Sequence, residues 1–212
     1  MMYYTSFLII IAVVLIVCIY SCKYGFESGI EFSKHVPKRK LTEDKQLIPR
    51  QIFQTHKDMD TVKKLKLDKL AKDLINKNPE YDYYFYSDED SEEYIKNNFD
   101  ANIYEVYRRI KNPVARADFW RALIIYKEGG IYLDMDNGLK KPLRKLIEPD
   151  NQFIKGIGWV HPNSPNPQHI IISTPEHPIM KKMVDYIINS ITNNEPIMEV
   201  CGIGRKWRLL EG

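Results

Sequence analysis

Between Pro113 and Gly138 the chain reads PVARADFWRALIIYKEGGIYLDMDNG, and no other stretch restricts its fold as tightly. Proline suits a first helical turn, where its missing N–H has no intrahelical partner, and Gly129-Gly130 suits a helix stop. Between them Phe119, Trp120, Leu123, Ile124 and Ile125 leave little polar face, so a buried helix is expected. Its first half nevertheless carries Arg116, Asp118 and Arg121. Charges on a buried helix are costly unless paired or used. Asp118 and Arg121 stand at i and i+3 and share a face. That spacing fits an internal ion pair as well as a working site.

The run continues as Ile131-Tyr132-Leu133-Asp134-Met135-Asp136, an apolar strand leading into two aspartates at i and i+2. On an extended chain those carboxylates point to one side. A carboxylate pair with no His or Cys cluster beside it suits a hard, oxygen-preferring cation such as Mg²⁺ or Mn²⁺. Asn137-Gly138 then turns the chain away. An EF-hand loop is excluded, because its sixth position would need Gly and its twelfth Glu. Gly138 here is fifth and Lys145 twelfth. A metal-dependent phosphohydrolase also places D-x-D after an apolar strand, but it needs a further acidic pair downstream. The later acids, from Glu148 to Glu211, include no adjacent two.

Upstream, Ile48 to Thr55 reads as a short strand with Pro49 at its entry. Asp60 to Lys77 repeats Val62, Leu65, Leu70 and Leu74 among lysines, which predicts one amphipathic helix. Asn78-Pro79 stops it. Tyr81 to Tyr86 reads as a strand, Ser87 to Phe99 as a helix with an acidic start, and Tyr104 to Ile110 as another helix. This alternation predicts an α/β fold with a mixed, largely parallel sheet flanked by helices. Ligands of such sheets sit beyond the carboxyl ends of the strands.

In order along the chain, IPRQIFQTHK, NPEYDYYFYSDED, ARADFWRALIIYKEGGIYLDMD and NGLKKPLRKLI resemble segments of family 32 glycosyltransferases, the D-x-D sugar transferases, a group that includes mannosyltransferases. The likeness runs from Ile48 to Ile147. It implies a GT-A-like (Rossmann-like) fold and a UDP- or GDP-sugar donor. It also implies a divalent cation, Mn²⁺ or Mg²⁺, and hexose transfer with retention to a glycan or lipid acceptor. By position, Asp134 and Asp136 resemble the metal and diphosphate pair, and Asp118 and Arg121 the residues that grip the donor sugar. All four are implied to be catalytic. Arg116 and Tyr132 lie beside them, and Gln54 ends the strand against which the base lies; both groups are implied donor contacts. Where the family commonly has His then Trp in its first strand motif, this chain has Phe53 and His56. A third metal ligand among His161, His169 and His177 is an open alternative, and no residue stands out as a nucleophile.

Residues 1–22 carry no charged side chain, and Phe7 to Tyr20 is FLIIIAVVLIVCIY. As a helix this uncharged stretch reaches roughly 33 Å, enough for a hydrocarbon core of about 30 Å. It is expected to be a transmembrane anchor, in preference to a cleaved signal peptide with a basic start. Residues 23–46 form a stem, and 47–212 a short catalytic domain. The net charge of +3 is accounted for by residues 23–40, where Lys23, Lys34, Lys38, Arg39 and Lys40 outnumber Glu27 and Glu31. Residues 41–212 are therefore neutral overall, which excludes the concentrated basic footprint of a nucleic-acid binder. A single-pass protein of an ER- or Golgi-type membrane is expected. The basic stem favours a cytoplasmic domain, whereas sugar transfer favours a lumenal one, so the orientation stays open. With three cysteines, two of them in the leader, no disulfide framework is expected. A non-catalytic relative that binds a sugar nucleotide or a partner protein is the alternative to an enzyme.

Overall fold

A computed structural model of the protein describes residues 46–154 and 169–195. The expected anchor, nearly all of the stem, His161, and Cys201 lie outside the described residues. Among the described residues, no helix is long and apolar enough to cross a membrane.

Strand β1 spans Gln51–Thr55 and is followed by helices α1 (Met59–Lys64) and α2 (Asp68–Lys77). Strand β2 (Asp82–Tyr86) leads into α3 (Asp88–Asn98), α4 (Ala101–Arg109) and α5 (Pro113–Glu128). Then come β3 (Gly130–Leu133), β4 (Phe153–Ile154), β5 (Ile170–Ser173) and α6 (Pro178–Thr192). The sheet order is β2-β1-β3-β5-β4. β1 pairs parallel with β2 and β3, whereas β5 pairs antiparallel with β3 and β4. The α/β expectation holds, but the sheet is evenly mixed and not largely parallel. Among the described residues, no α-helix stands between β3 and β4, whereas parallel pairing needs a long crossover, usually a helix.

Side-chain alternation sends successive strand residues to opposite faces. Phe53, Tyr84, Tyr86, Tyr132 and Ile171 join Trp120, Phe119 and the apolar stripes of α3, α4, α5 and α6 in one core. Ile52, Ile131, Leu133, Ile170 and Ile172 pack on the other side with Leu74, Leu139 and Leu143. Asn78 ties that second layer together. Its amide donates to the Leu74 carbonyl at 2.7 Å, and its Oδ1 accepts from the Leu143 N–H at 2.7 Å.

The single helix expected from Asp60 to Lys77 is two helices. The chain breaks at Leu65–Leu67, where Lys66 takes φ 61°. Val62 and Ala71 are nine residues apart, which on a straight helix puts them about half a turn apart in azimuth. Both nevertheless bury in one cluster with Phe85 and Met135, and the break permits this.

Two local features carry predictions. Gly130 has φ 91°, and a Cβ there would lie 2.7 Å from the Gln51 carbonyl oxygen. Gly130→Ala is expected to cost about 2 kcal/mol, read by urea denaturation; a loss near zero would contradict the close approach. His177 caps α6, its Nδ1 accepting from the Ile179 N–H at 3.2 Å, and its ring stacks on Phe153. Burial holds its pKa below the ordinary 6.5. The unfolded chain therefore binds this proton more readily. The stabilisation is whole above the unfolded value and is lost as pH falls through the lower folded value. His177→Asn keeps a capping acceptor but does not titrate. The fall in melting temperature between about pH 7 and pH 5 should be smaller in that variant. Parallel pH profiles in the two proteins would rule this role out.

Candidate active site in the cleft beyond the strand ends

Parallel pairing brings Thr55, Tyr86 and Leu133, the last residues of β1, β2 and β3, to one side of the sheet. A cleft of about 670 Å³ opens beyond them. That volume lies in the usual range for a small-molecule site. Its floor holds Arg121, Tyr132, Asp134 and Asp136, and its far wall is apolar, built by Leu65, Leu67, Pro113, Val114 and Ala117.

The helix α5 starts where the sequence indicates. Asn112 accepts from the Val114 N–H at 2.9 Å, Pro113 takes the first turn, and Gly129 ends it. Its residues 113, 114, 117 and 121 recur at helical spacing and face the cleft. Asp118 and Arg121 are both buried and form the ion pair that their spacing allows. That pair is not closed on itself. Arg121 Nη1 also reaches Asp134 Oδ1 at 3.1 Å, and its guanidinium lies over the Tyr132 ring at 5.0 Å.

Asp134 is therefore held from several sides. The Tyr132 hydroxyl donates to its Oδ1 at 2.5 Å. Burial pushes the Tyr132 phenol far above its ordinary pKa, which keeps it a neutral donor. The Asp134 backbone N–H donates to the His169 carbonyl at 2.9 Å, and the Gln54 amide donates to the Asp134 carbonyl at 3.2 Å. Asp134 and Asp136 follow the end of a strand, as the sequence indicates, and lie in a turn instead of an extended run. β3 ends at Leu133, and the acids belong to a turn closed by the Asn137 N–H on the Asp134 carbonyl at 3.0 Å. The alternation survives in burial: Met135 is 3% exposed, while both carboxylates face outward.

Of the donor-binding residues expected from sequence, Tyr132, Arg121 and Asp134 meet at the cleft. Asp118 lies directly behind Arg121. Gln54 is buried beneath the cleft, its Oε1 accepting from the Tyr83 hydroxyl at 2.6 Å while its amide holds Asp134. Arg116 points elsewhere. It pairs with Glu92 at 2.7 Å and lies over the Tyr107 ring at 4.6 Å. Positions 116 and 118 differ by about 200° around a helix, so one face does not present both. His177 is taken up by its cap, and His169 contributes its backbone carbonyl.

Sequence reasoning passed over Lys57 and Asp88, which line the cleft with Thr55 and His56. The signal available was position: Thr55-His56-Lys57 and Ser87-Asp88 follow the carboxyl ends of two strands, where α/β sheets bind ligands. Among the described residues, no three of His, Cys, Asp and Glu gather as a metal cage. The outward carboxylates of Asp134 and Asp136 offer oxygen donors of the kind a hard divalent cation takes.

Residues 64–154 match the family described as glycosyltransferase sugar-binding region containing DXD motif. The chain is 30% identical over 141 residues to mannosyl phosphorylinositol ceramide synthase CSH1 of Saccharomyces cerevisiae, covering 66% of this chain and 35% of that protein. It is 27% identical over 186 residues to the initiation-specific alpha-1,6-mannosyltransferase of Schizosaccharomyces pombe, covering 74% of this chain and 46% of that one. The chain thus spans about a third to a half of these relatives' lengths. Among solved structures, PaToxG glycosyltransferase shares the fold, with TM-score 0.59 and 17% identity over 78% of this chain and 70% of that one. The likeness to D-x-D sugar transferases read from the sequence is borne out by the matched family and by the mannosyltransferase relatives.

Proposed function

We propose that a chain whose residues 64–154 are a D-x-D glycosyltransferase region acts as a membrane-anchored, metal-dependent glycosyltransferase. It would move a hexose from a nucleotide-sugar donor to a glycan or lipid acceptor with retention, and the names of its relatives favour mannose. The observation that carries this reading is the relay from the buried Asp118–Arg121 pair to the half-buried Asp134, which delivers a fixed carboxylate and a guanidinium to the cleft beside Asp136.

The reaction breaks the bond between the anomeric carbon and the phosphate oxygen and forms one to an acceptor oxygen. Positive charge develops on the sugar ring and negative charge on the departing diphosphate. Asp134 and Asp136 would hold the divalent cation, which when bound supplies Lewis-acid stabilisation of that leaving group. Arg121 adds a fixed positive charge at the same end of the cleft, already oriented by Asp118 and Tyr132. Such preorganised charge acts without reorganisation during bond breaking. Asp118, one turn deeper, serves the donor sugar through the arginine it orients or by charge-assisted bonds to sugar hydroxyls. Lys57, exposed at the rim, offers a second cation to the nucleotide.

The test is slow donor hydrolysis by the full chain in detergent, with a panel of UDP- and GDP-sugars and Mn²⁺. Turnover of at least one donor that stops with EDTA and returns with added metal is the expected result. A folded protein that turns over none of them would leave the non-catalytic, sugar-nucleotide-binding alternative.

A further inference from the structure

The break between α1 and α2 leaves four consecutive exposed residues, Lys63, Lys64, Leu65 and Lys66. Leu65 is 56% exposed, one of three large apolar side chains so exposed among the described residues, and it stands at the rim of the cleft. The basic surface continues along α2. Lys69 and Lys72 are exposed at i and i+3 and share a face. Among the described residues, Lys72 alone of these five lysines has an ion-pair partner, Asp68 at 3.5 Å.

A second segment adds to it. Lys77 Nζ donates to the Leu139 carbonyl at 2.9 Å, and Arg144 Nη1 donates to the Lys77 carbonyl at 3.2 Å, so residues 139–144 lie against the end of α2. That segment contributes exposed Lys140, Lys141 and Lys145, with no acid between Asp136 and Glu148. Residues 41–212 as a whole are neutral, so this concentration is local. Exposed lysines, most of them without an ion-pair partner among the described residues, thus surround a protruding leucine.

We propose that the corner at Lys63–Lys66, with Lys69 and Lys140–Lys141, docks on an anionic lipid surface and brings the mouth of the cleft to the membrane. Charge complementarity selects anionic headgroups, and the leucine suits insertion at the headgroup level. The bilayer-length segment Phe7–Tyr20 keeps such a surface within reach. The inference rests on that anchor reading and not on sugar transfer, so its test reads no activity.

The full chain is placed in nanodiscs of phosphatidylcholine alone or with about one-third phosphatidylserine, and per-lysine amine acylation rates are read by mass spectrometry. Lys63, Lys64, Lys66, Lys140 and Lys141 should react at least about threefold more slowly in the anionic discs, and high salt should remove the difference. Lys96 and Lys111 serve as the comparison, with unchanged rates expected. The combined Lys63→Glu, Lys64→Glu and Lys66→Glu variant, with its melting temperature checked, should lose the protection at Lys140 and Lys141.

Equal rates in the two discs, or equal slowing at Lys96 and Lys111, would overturn the proposal. So would the same protection in neutral discs from a soluble polyanion such as inositol hexakisphosphate, which would reassign the patch to a soluble ligand. A chain that fails to enter neutral discs contradicts the anchor alone. The patch is then judged by cosedimentation with anionic against neutral vesicles, where equal pelleting overturns it.

Discussion

Replacing Arg121 with methionine is expected to destabilise the protein by about 3–5 kcal/mol and to abolish donor turnover. Arg121 is buried between Asp118, also buried, and the half-buried Asp134. Removing it leaves the buried Asp118 carboxylate uncompensated, and that desolvation dominates the loss. For a domain of this size the melting temperature should fall by roughly 10 °C. The companion variant Arg121→Met with Asp118→Leu removes both charges and replaces them with apolar volume. It should recover most of the stability, because a buried ion pair contributes little against a well-packed apolar substitute. It should recover none of the turnover. If the double variant is as unstable as the single one, the pair is not the source of the loss. If it is active, Arg121 is not part of the machinery.

The second large effect is opposite in kind. Asp136→Asn should lower donor hydrolysis by on the order of 10²–10³-fold, the cost of deleting one group that stabilises developing charge. Its stability should stay within about 0.5 kcal/mol of the parent, since Asp136 is exposed. Asp134→Asn should lose at least as much activity and also some stability, because Arg121 and Tyr132 both lean on its charge. Differential scanning fluorimetry beside the hydrolysis assay separates the two variants. Retention of activity in both would remove the carboxylates from the metal site.

Helix α5 was legible because its signals are local. Pro113, the apolar run and Gly129 fix its start, burial and end within the segment itself. The break at Leu65–Leu67 was not, because the lysine–leucine periodicity is continuous across it. The cluster of Val62, Ala71, Phe85 and Met135 forces the bend, and two of those residues come from β2 and the turn after β3. Gln54 illustrates the same limit: the motif places it at a strand end, but the Tyr83 hydroxyl and the Asp134 carbonyl take both ends of its amide below the cleft. Lys57, Asp88, Leu65 and Val114 joined the cleft unannounced, since membership depends on which chain ends the sheet brings together.

By itself the sequence determined that Asp118 and Arg121, charged on an apolar helix, had to be paired or used, because burial of a lone charge is prohibitive. It also determined that two carboxylates follow a buried strand. The tertiary structure decided that these are one arrangement. An i,i+3 pair can close within a single helix turn, so helical spacing leaves the third member undetermined. Pairing of β3 beside β1, with α5 packed on β3 and β5, carries Asp134 to the free side of the Arg121 fork and turns a local ion pair into a cleft-facing relay.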